Sequence, residues 1–162
     1  MIRVIGFRYN NAQNNNMKSV FDRPTRDELK SRINSLTENS TPQWGKMTVS
    51  QMLKHCSQWD EMALGKTKYK QAFIGKIFGK MALKNMMKDE PVKKNMPTVP
   101  SFKITEDVDF AAEKKKWIAL LDEYENYPID SFIHPFFGTM YKEDTGYMVY
   151  KHADHHLKQF NS

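Results

Sequence analysis

The spacing of its helical segments constrains this chain most. Amphipathic stretches with helix-start signals come in two pairs, and residues 66 to about 105 separate the pairs. Thr25-Arg-Asp-Glu28 reads as a capping box, and Leu29, Ile33 and Leu36 follow on one face, so a first helix is predicted from Thr25 to about Thr37. Thr48-Val-Ser-Gln51 is a second capping box. The helix it opens is predicted to reach about Leu64, with Gly65 at the C′ position and Val49, Met52, Leu53, Cys56, Trp59, Met62 and Ala63 on its inner face. The second pair is predicted over Phe110 to Asn126, ended by Tyr127-Pro128, and over Tyr141 to Phe160, with His134-Pro-Phe-Phe-Gly138 read as a turn between them.

A connection of roughly 45 residues far exceeds the usual handful. Its centre, Gln71 to Met87, is itself predicted to be helical, and the part around Pro91, Pro97 and Pro100 is extended loop. With no convincing strand, the expected fold is all-α: a four-helix bundle with a long crossover between its second and third helices and an additional helix within the crossover. Helices joined by modest loops should run antiparallel. The crossover can return the chain along the bundle, leaving the second and third helices parallel and the fourth antiparallel to the second.

Length and composition fit one domain, expected at residues 18–162, preceded by an Asn-rich tail over residues 1–17 that reads as disordered. Met17 is a candidate start codon. Cys56 is the only cysteine, which excludes an intrachain disulfide and suits a reducing compartment. No apolar run approaches the roughly 20 residues that span a bilayer, and the N-terminal residues lack the order of a signal peptide, so the expected location is the cytoplasm. The net charge of +6 is local. Residues 66–94 carry nine lysines against Asp89 and Glu90, or +7, which leaves −1 for the rest of the chain.

His152 and His156 are four residues apart, and side chains at that spacing share a helix face. They fall on the stripe Thr145, Met148, Val149, His152, His156 and Gln159, while His55 lies on the inner face of the second helix. In an antiparallel pair, His55 sits ~10 Å from the start of its helix and His156 ~6 Å from the end of its own, so the rings meet near one level. Two imidazoles on one helix and a third facing them can chelate a divalent cation. His155, three residues from His152, is also within reach of that face. His134 is expected to plug the far end of the core, ~27 Å from His152 along the helix axis. Cys56 is expected to be core packing.

The residues Trp44-Gly-Lys-Met-Thr-Val-Ser-Gln-Met-Leu-Lys-His-Cys56, Asn95-Met-Pro-Thr-Val-Pro100, His134-Pro-Phe-Phe-Gly138 and Tyr150-Lys-His-Ala-Asp-His-His-Leu-Lys-Gln-Phe160 together resemble the DinB-like superfamily, and more closely its DUF1569 branch. The resemblance covers about Phe21 to Phe160. It implies a four-helix bundle with the crossover described above, and a metal bound by one histidine on the second helix and an H-x-x-x-H pair on the fourth. Those positions are His55, His152 and His156, which selects His156 over His155. Thr139-Met-Tyr-Lys-Glu143 departs from the helix start of similar proteins and touches only a cap.

Three neutral nitrogen ligands leave a coordination position open, the arrangement of catalytic sites. The metal is a divalent ion such as Zn, Ni or Fe, since imidazole suits all of them. Some DinB-like proteins are thiol-dependent S-transferases and others are proposed metal-dependent hydrolases. The resemblance therefore implies attack by water or a low-molecular-weight thiol on a small electrophile. No general base stands out: Asp60, Glu61 and Asp154 are near in sequence, but helical geometry turns Asp154 away from the histidine face. The alternative is a non-catalytic metal-binding or interaction module that uses its basic helix on anionic lipid or nucleic acid. In that helix Lys76, Lys80, Lys84 and Lys88 form one stripe and Phe73, Ile74, Ile77, Phe78 and Met81 another. The favoured expectation is a bundle cap with a solvated lysine face. No nucleic-acid-binding signature accompanies it, and a homodimer is compatible with the sequence.

Overall fold

The computed structural model describes residues 17–162, so the predicted tail lies outside the described residues except for Met17. The chain is mostly helical with one small sheet. In chain order it forms α1 (Arg23–Ser35), α2 (Val49–Ala63), α3 (Phe73–Met86), α4 (Phe110–Glu123), β1 (Ser131–His134), β2 (Gly138–Tyr141) and α5 (Lys142–Gln159). Short 3-10 turns lie at Pro100–Phe102 and Tyr124–Asn126.

The start of α2 follows its sequence signal. Thr48 accepts from the Gln51 amide, the Gln51 side chain accepts from the Thr48 amide, and Gly65 follows the helix at φ +72°. The start of α1 does not. Arg23 opens the helix with Pro24 second, so Asp22 is the N-cap and Thr25 lies buried inside the first turn without capping it. Proline is tolerated there because its missing N–H is one that the first turn leaves unpaired anyway.

Helices α1, α2, α4 and α5 share one core built on Leu29, Ile33, Met52, Leu53, Met62, Trp117, Leu121, Met148 and Leu157. Helix α2 packs against α4 and α5, and α1 packs against the same two from the other side. Cross-links fix the directions. Lys54 pairs with Glu106, Asp60 with Trp117, and Tyr127 donates to the Ala63 carbonyl, so α2 and α4 run parallel. Gln43 donates to the Gln159 carbonyl beside the start of α2, while Gly65 approaches Ile129 before β1. Helices α2 and α5 are therefore antiparallel. Lys30 pairs with Asp122 and Lys114 with the Leu36 carbonyl, which sets α1 antiparallel to α4.

Three expectations are corrected. The all-α reading missed a hairpin: β1 and β2 pair antiparallel with His134 opposite Gly138. Each strand alternates burial over four residues, too short to register as a period, and Pro135, Phe136 and Phe137 form its tip. His134 does not plug the far end. The chain reverses at Tyr141, so β2 runs back alongside α5. Three residues of strand cover ~10 Å and the ten residues to His152 rise ~15 Å, which brings the hairpin tip to within about one helical turn of His152. Finally, α3 does not cap the bundle with its apolar stripe. It packs on β2, and Gly75 and Gly79 are its buried residues. A Cβ at either glycine would overlap the Phe136 carbonyl. The stripe itself faces outward, with Phe73 78% exposed.

Candidate metal centre

His55, His152 and His156 converge. Each offers one ring nitrogen, and these atoms all lie within 4.8 Å of one another. The closest approach is 3.0 Å between the Nε2 atoms of His55 and His152. The rings sit 4.7 to 5.0 Å apart, centroid to centroid. The antiparallel pairing of α2 and α5 produces this: one turn further along α2, Trp59 stacks on His152 at 5.3 Å.

The tautomers follow from the neighbours. His55 Nδ1 lies 3.0 Å from the Phe102 carbonyl, which only accepts, so Nδ1 carries the hydrogen and Nε2 the lone pair. Gln159 Nε2 donates to the Trp44 carbonyl at 2.7 Å. That fixes the amide so that its Oε1 accepts from His156 Nδ1 at 3.0 Å, and the His156 Nε2 lone pair is left free. Carbonyl or amide partners on the far nitrogen are the usual outer shell of metal-binding histidines. Burial holds the rings neutral: it lowers the His55 pKa, lowers that of His156 to about 3, and with His156 and His55 alongside lowers that of His152 well below its ordinary value.

This donor set fits a divalent cation. Metal–nitrogen bonds of ~2.0–2.1 Å in tetrahedral geometry place ligand nitrogens roughly 3.3 Å apart, close to the His55–His152 separation. At that distance His152 Nε2 either donates its hydrogen to the His55 Nε2 lone pair or, with the hydrogen on Nδ1, turns a second lone pair toward a cation between the rings. His55 and His156 are buried and His152 is partly exposed, so the cluster meets solvent at His152.

His155 is not among the converging nitrogens. Its ring lies 5.5 Å from Trp44 and lines a surface groove of about 370 Å³ with Tyr147, Tyr150, Lys151 and Lys94. The nearby carboxylates are engaged elsewhere. Asp154 pairs with Arg32 and Lys158, and Glu61 with Lys116. Asp60 accepts from Trp117 Nε1 and the Tyr124 hydroxyl, and burial raises its pKa to about 7. Cys56 is buried against Met52, and burial pushes its thiol well up.

Sequence reasoning missed several contributors. Gln159 stood on the inner stripe without a role. The Phe102 and Trp44 carbonyls come from loops, where backbone acceptors leave no sequence signature. His134 was placed at the wrong end. Its ring lies 6.0 Å from both Trp59 and Phe102, and its Nδ1 accepts from the amides of Phe136 and Phe137, locking the hairpin tip.

Fold and site thus define a mostly helical protein with a buried histidine cluster between two antiparallel helices. The chain belongs to the DUF1569 family of proteins of unknown function, whose model matches residues 16–162. No curated protein and no solved structure matches it. Among the described residues, no helix is long and apolar enough to cross a membrane.

Proposed function

We propose that this chain is a DinB-like metal-binding protein in which His55, His152 and His156 hold one divalent ion and act on a small electrophile. The observation that carries this reading is the convergence of the three ring nitrogens, two of them with tautomers fixed by Phe102 and Gln159. The order of helices supports the DinB-type bundle: α2 and α4 run parallel across the long crossover, and α5 runs antiparallel to α2.

When bound, the ion supplies Lewis acidity toward a water or a low-molecular-weight thiol. The chain supplies the rest. The Phe102 carbonyl and the Gln159 amide orient two imidazoles, and Trp59 holds the third by stacking. Trp59 and Phe102 also shield the inner side from water, leaving His152 as the approach for a substrate. Asp60, Glu61 and Asp154 are committed to Trp117, Tyr124, Lys116 and Arg32, so none of them serves as a base. This favours chemistry in which the nucleophile needs no protein carboxylate, as with a thiol that ionises near neutrality. The reading is therefore a thiol S-transferase or hydrolase of a small electrophile, located in the cytoplasm.

The test is turnover of thiol–electrophile pairs by metal-loaded protein. The account expects activity that disappears in a folded His55→Ala variant and on chelation. Equal turnover by chelated and metal-loaded protein would contradict it.

A further inference from the structure

The lysines of residues 66–94 and the outward stripe of α3 are not used by the histidine site. Phe73, Ile74, Ile77, Phe78 and Met81 are 46 to 78% exposed, and they account for most of the large exposed apolar side chains among the described residues. At 100° per residue they occupy one sector of α3, opposite the buried glycines. The fold creates this exposure. Because Gly75 and Gly79 seat the helix directly on the backbone of Phe136 and Phe137, the larger side chains cannot turn inward. The outward apolar face is thus a fixed consequence of how the helix docks.

Lys76, Lys80, Lys84 and Lys88 follow one edge of the apolar sector and cross it toward the C-terminal end. Among the described residues no carboxylate lies within ion-pair distance of these four, nor of Lys68 or Lys70. The far end of the helix is anchored: Lys151 of α5 donates to the Met86 and Lys88 carbonyls, and Tyr147 donates to the Lys88 carbonyl. A helix held rigidly, with exposed apolar side chains flanked by unpaired lysines, has the form of an interfacial membrane anchor.

We infer that α3 is the membrane-contact element of this protein and docks on anionic phospholipid, with Phe73, Ile77 and Phe78 entering the headgroup–acyl boundary and the lysines pairing with headgroups. The charge distribution selects this occupant. A second copy packed on the same face would bring lysine stripe against lysine stripe, and a strip ~21 Å long and ~10 Å wide is well short of the ~800 Å² per partner of a stable interface. Nucleic acid would engage the lysines and leave the apolar stripe in water.

The experiment is co-sedimentation of the full chain with vesicles of phosphatidylcholine alone or with about a third phosphatidylglycerol, in low and high salt. Binding is expected on the anionic vesicles, weakening with salt. Lys80→Glu/Lys84→Glu is expected to lower partitioning at least about 30-fold, the equivalent of ~1 kcal/mol for each lysine lost. Ile77→Glu/Phe78→Glu is expected to abolish it with an unchanged melting temperature, since both side chains are exposed. His55→Ala is expected to bind vesicles like the parent, which separates this inference from the metal site. Three results would overturn it: no binding to anionic vesicles at low salt, equal binding to neutral ones, or binding that survives Ile77→Glu/Phe78→Glu. Concentration-dependent dimerisation abolished by that same double variant, without vesicle binding, would assign the face to a second copy instead. Salt-sensitive retention of duplex DNA in place of vesicles would likewise overturn it.

Discussion

Replacing Gln159 by Leu tests the link between helix packing and the histidine cluster. Gln159 is buried, and its amide joins two elements: Oε1 accepts from His156 Nδ1 at 3.0 Å and Nε2 donates to the Trp44 carbonyl at 2.7 Å. Leucine fills a similar volume but makes neither bond. Two hydrogen bonds at about 1 kcal/mol each are lost, and a buried imidazole N–H is left without a partner at about 1–3 kcal/mol more. The expected destabilisation is about 3–5 kcal/mol, or a fall in melting temperature of roughly 6–20 °C for a chain of this size. Metal affinity should fall by about 10–100-fold, because the partner that fixes the His156 ring is gone. Gln159→Glu keeps an acceptor for His156 and should retain most of the affinity while losing the Trp44 bond. Isothermal titration with Zn and thermal melts of metal-free protein measure the two effects separately. A Gln159→Leu variant that binds metal within twofold of the parent refutes the claim that this amide positions the ligand.

Three further outcomes follow from buried groups and close packing. Burial holds the His134 pKa down to about 3, against 6.5 unfolded. In that window the unfolded chain binds more protons, so His134 costs no stability above pH 6.5 and about 1.4 kcal/mol per pH unit below it. His134→Asn keeps an acceptor for the Phe136 and Phe137 amides, so its stability deficit should shrink by about 2–3 kcal/mol between pH 7 and 4.5 in urea melts; a deficit independent of pH contradicts this. Asp60 acts in the opposite sense. Its carboxyl is raised by burial from 3.8 to about 7, so its contribution is fully present below pH 3.8 and lost as pH rises through 7. Asp60→Asn should therefore compare better with the parent at pH 8 than at pH 4.5, and the reverse order in the same melts rules the assignment out. Gly79→Ala places a methyl against the Phe136 carbonyl, which should cost about 1–3 kcal/mol and speed hydrogen exchange of residues 73–86; unchanged exchange there would mean that α3 is not seated on the hairpin.

Much of the helical framework was legible because its signals are local. The Thr48–Gln51 capping box and Gly65 mark α2 by chemistry that acts within one turn, and the stripes on α2, α4 and α5 repeat often enough to reveal a period. The long connection gave the parallel pairing of α2 and α4, and with it the level at which His55 meets His152 and His156. The hairpin was not legible, since two strands of four residues carry almost no pattern, and with it went the position of His134. The orientation of α3 failed for a different reason. Its apolar stripe suggested an inward face, but the contact was decided by what Gly75 and Gly79 lack, and a pair of glycines reads in sequence as a weak helix rather than as a docking surface. The outer partners of the histidines were hidden because His55 is held by a backbone carbonyl and the Gln159 that holds His156 is itself fixed by another.

The central claim is that His55, His152 and His156 form one metal site. Titration of metal-free protein with Zn, with Ni and Fe in parallel, tests it most directly. The account predicts one equivalent bound per chain with a rise in melting temperature, and loss of that equivalent in each of His55→Ala, His152→Ala and His156→Ala while His155→Ala and His134→Asn retain it. No saturable binding by the parent, or binding that survives all three ligand substitutions, would contradict it.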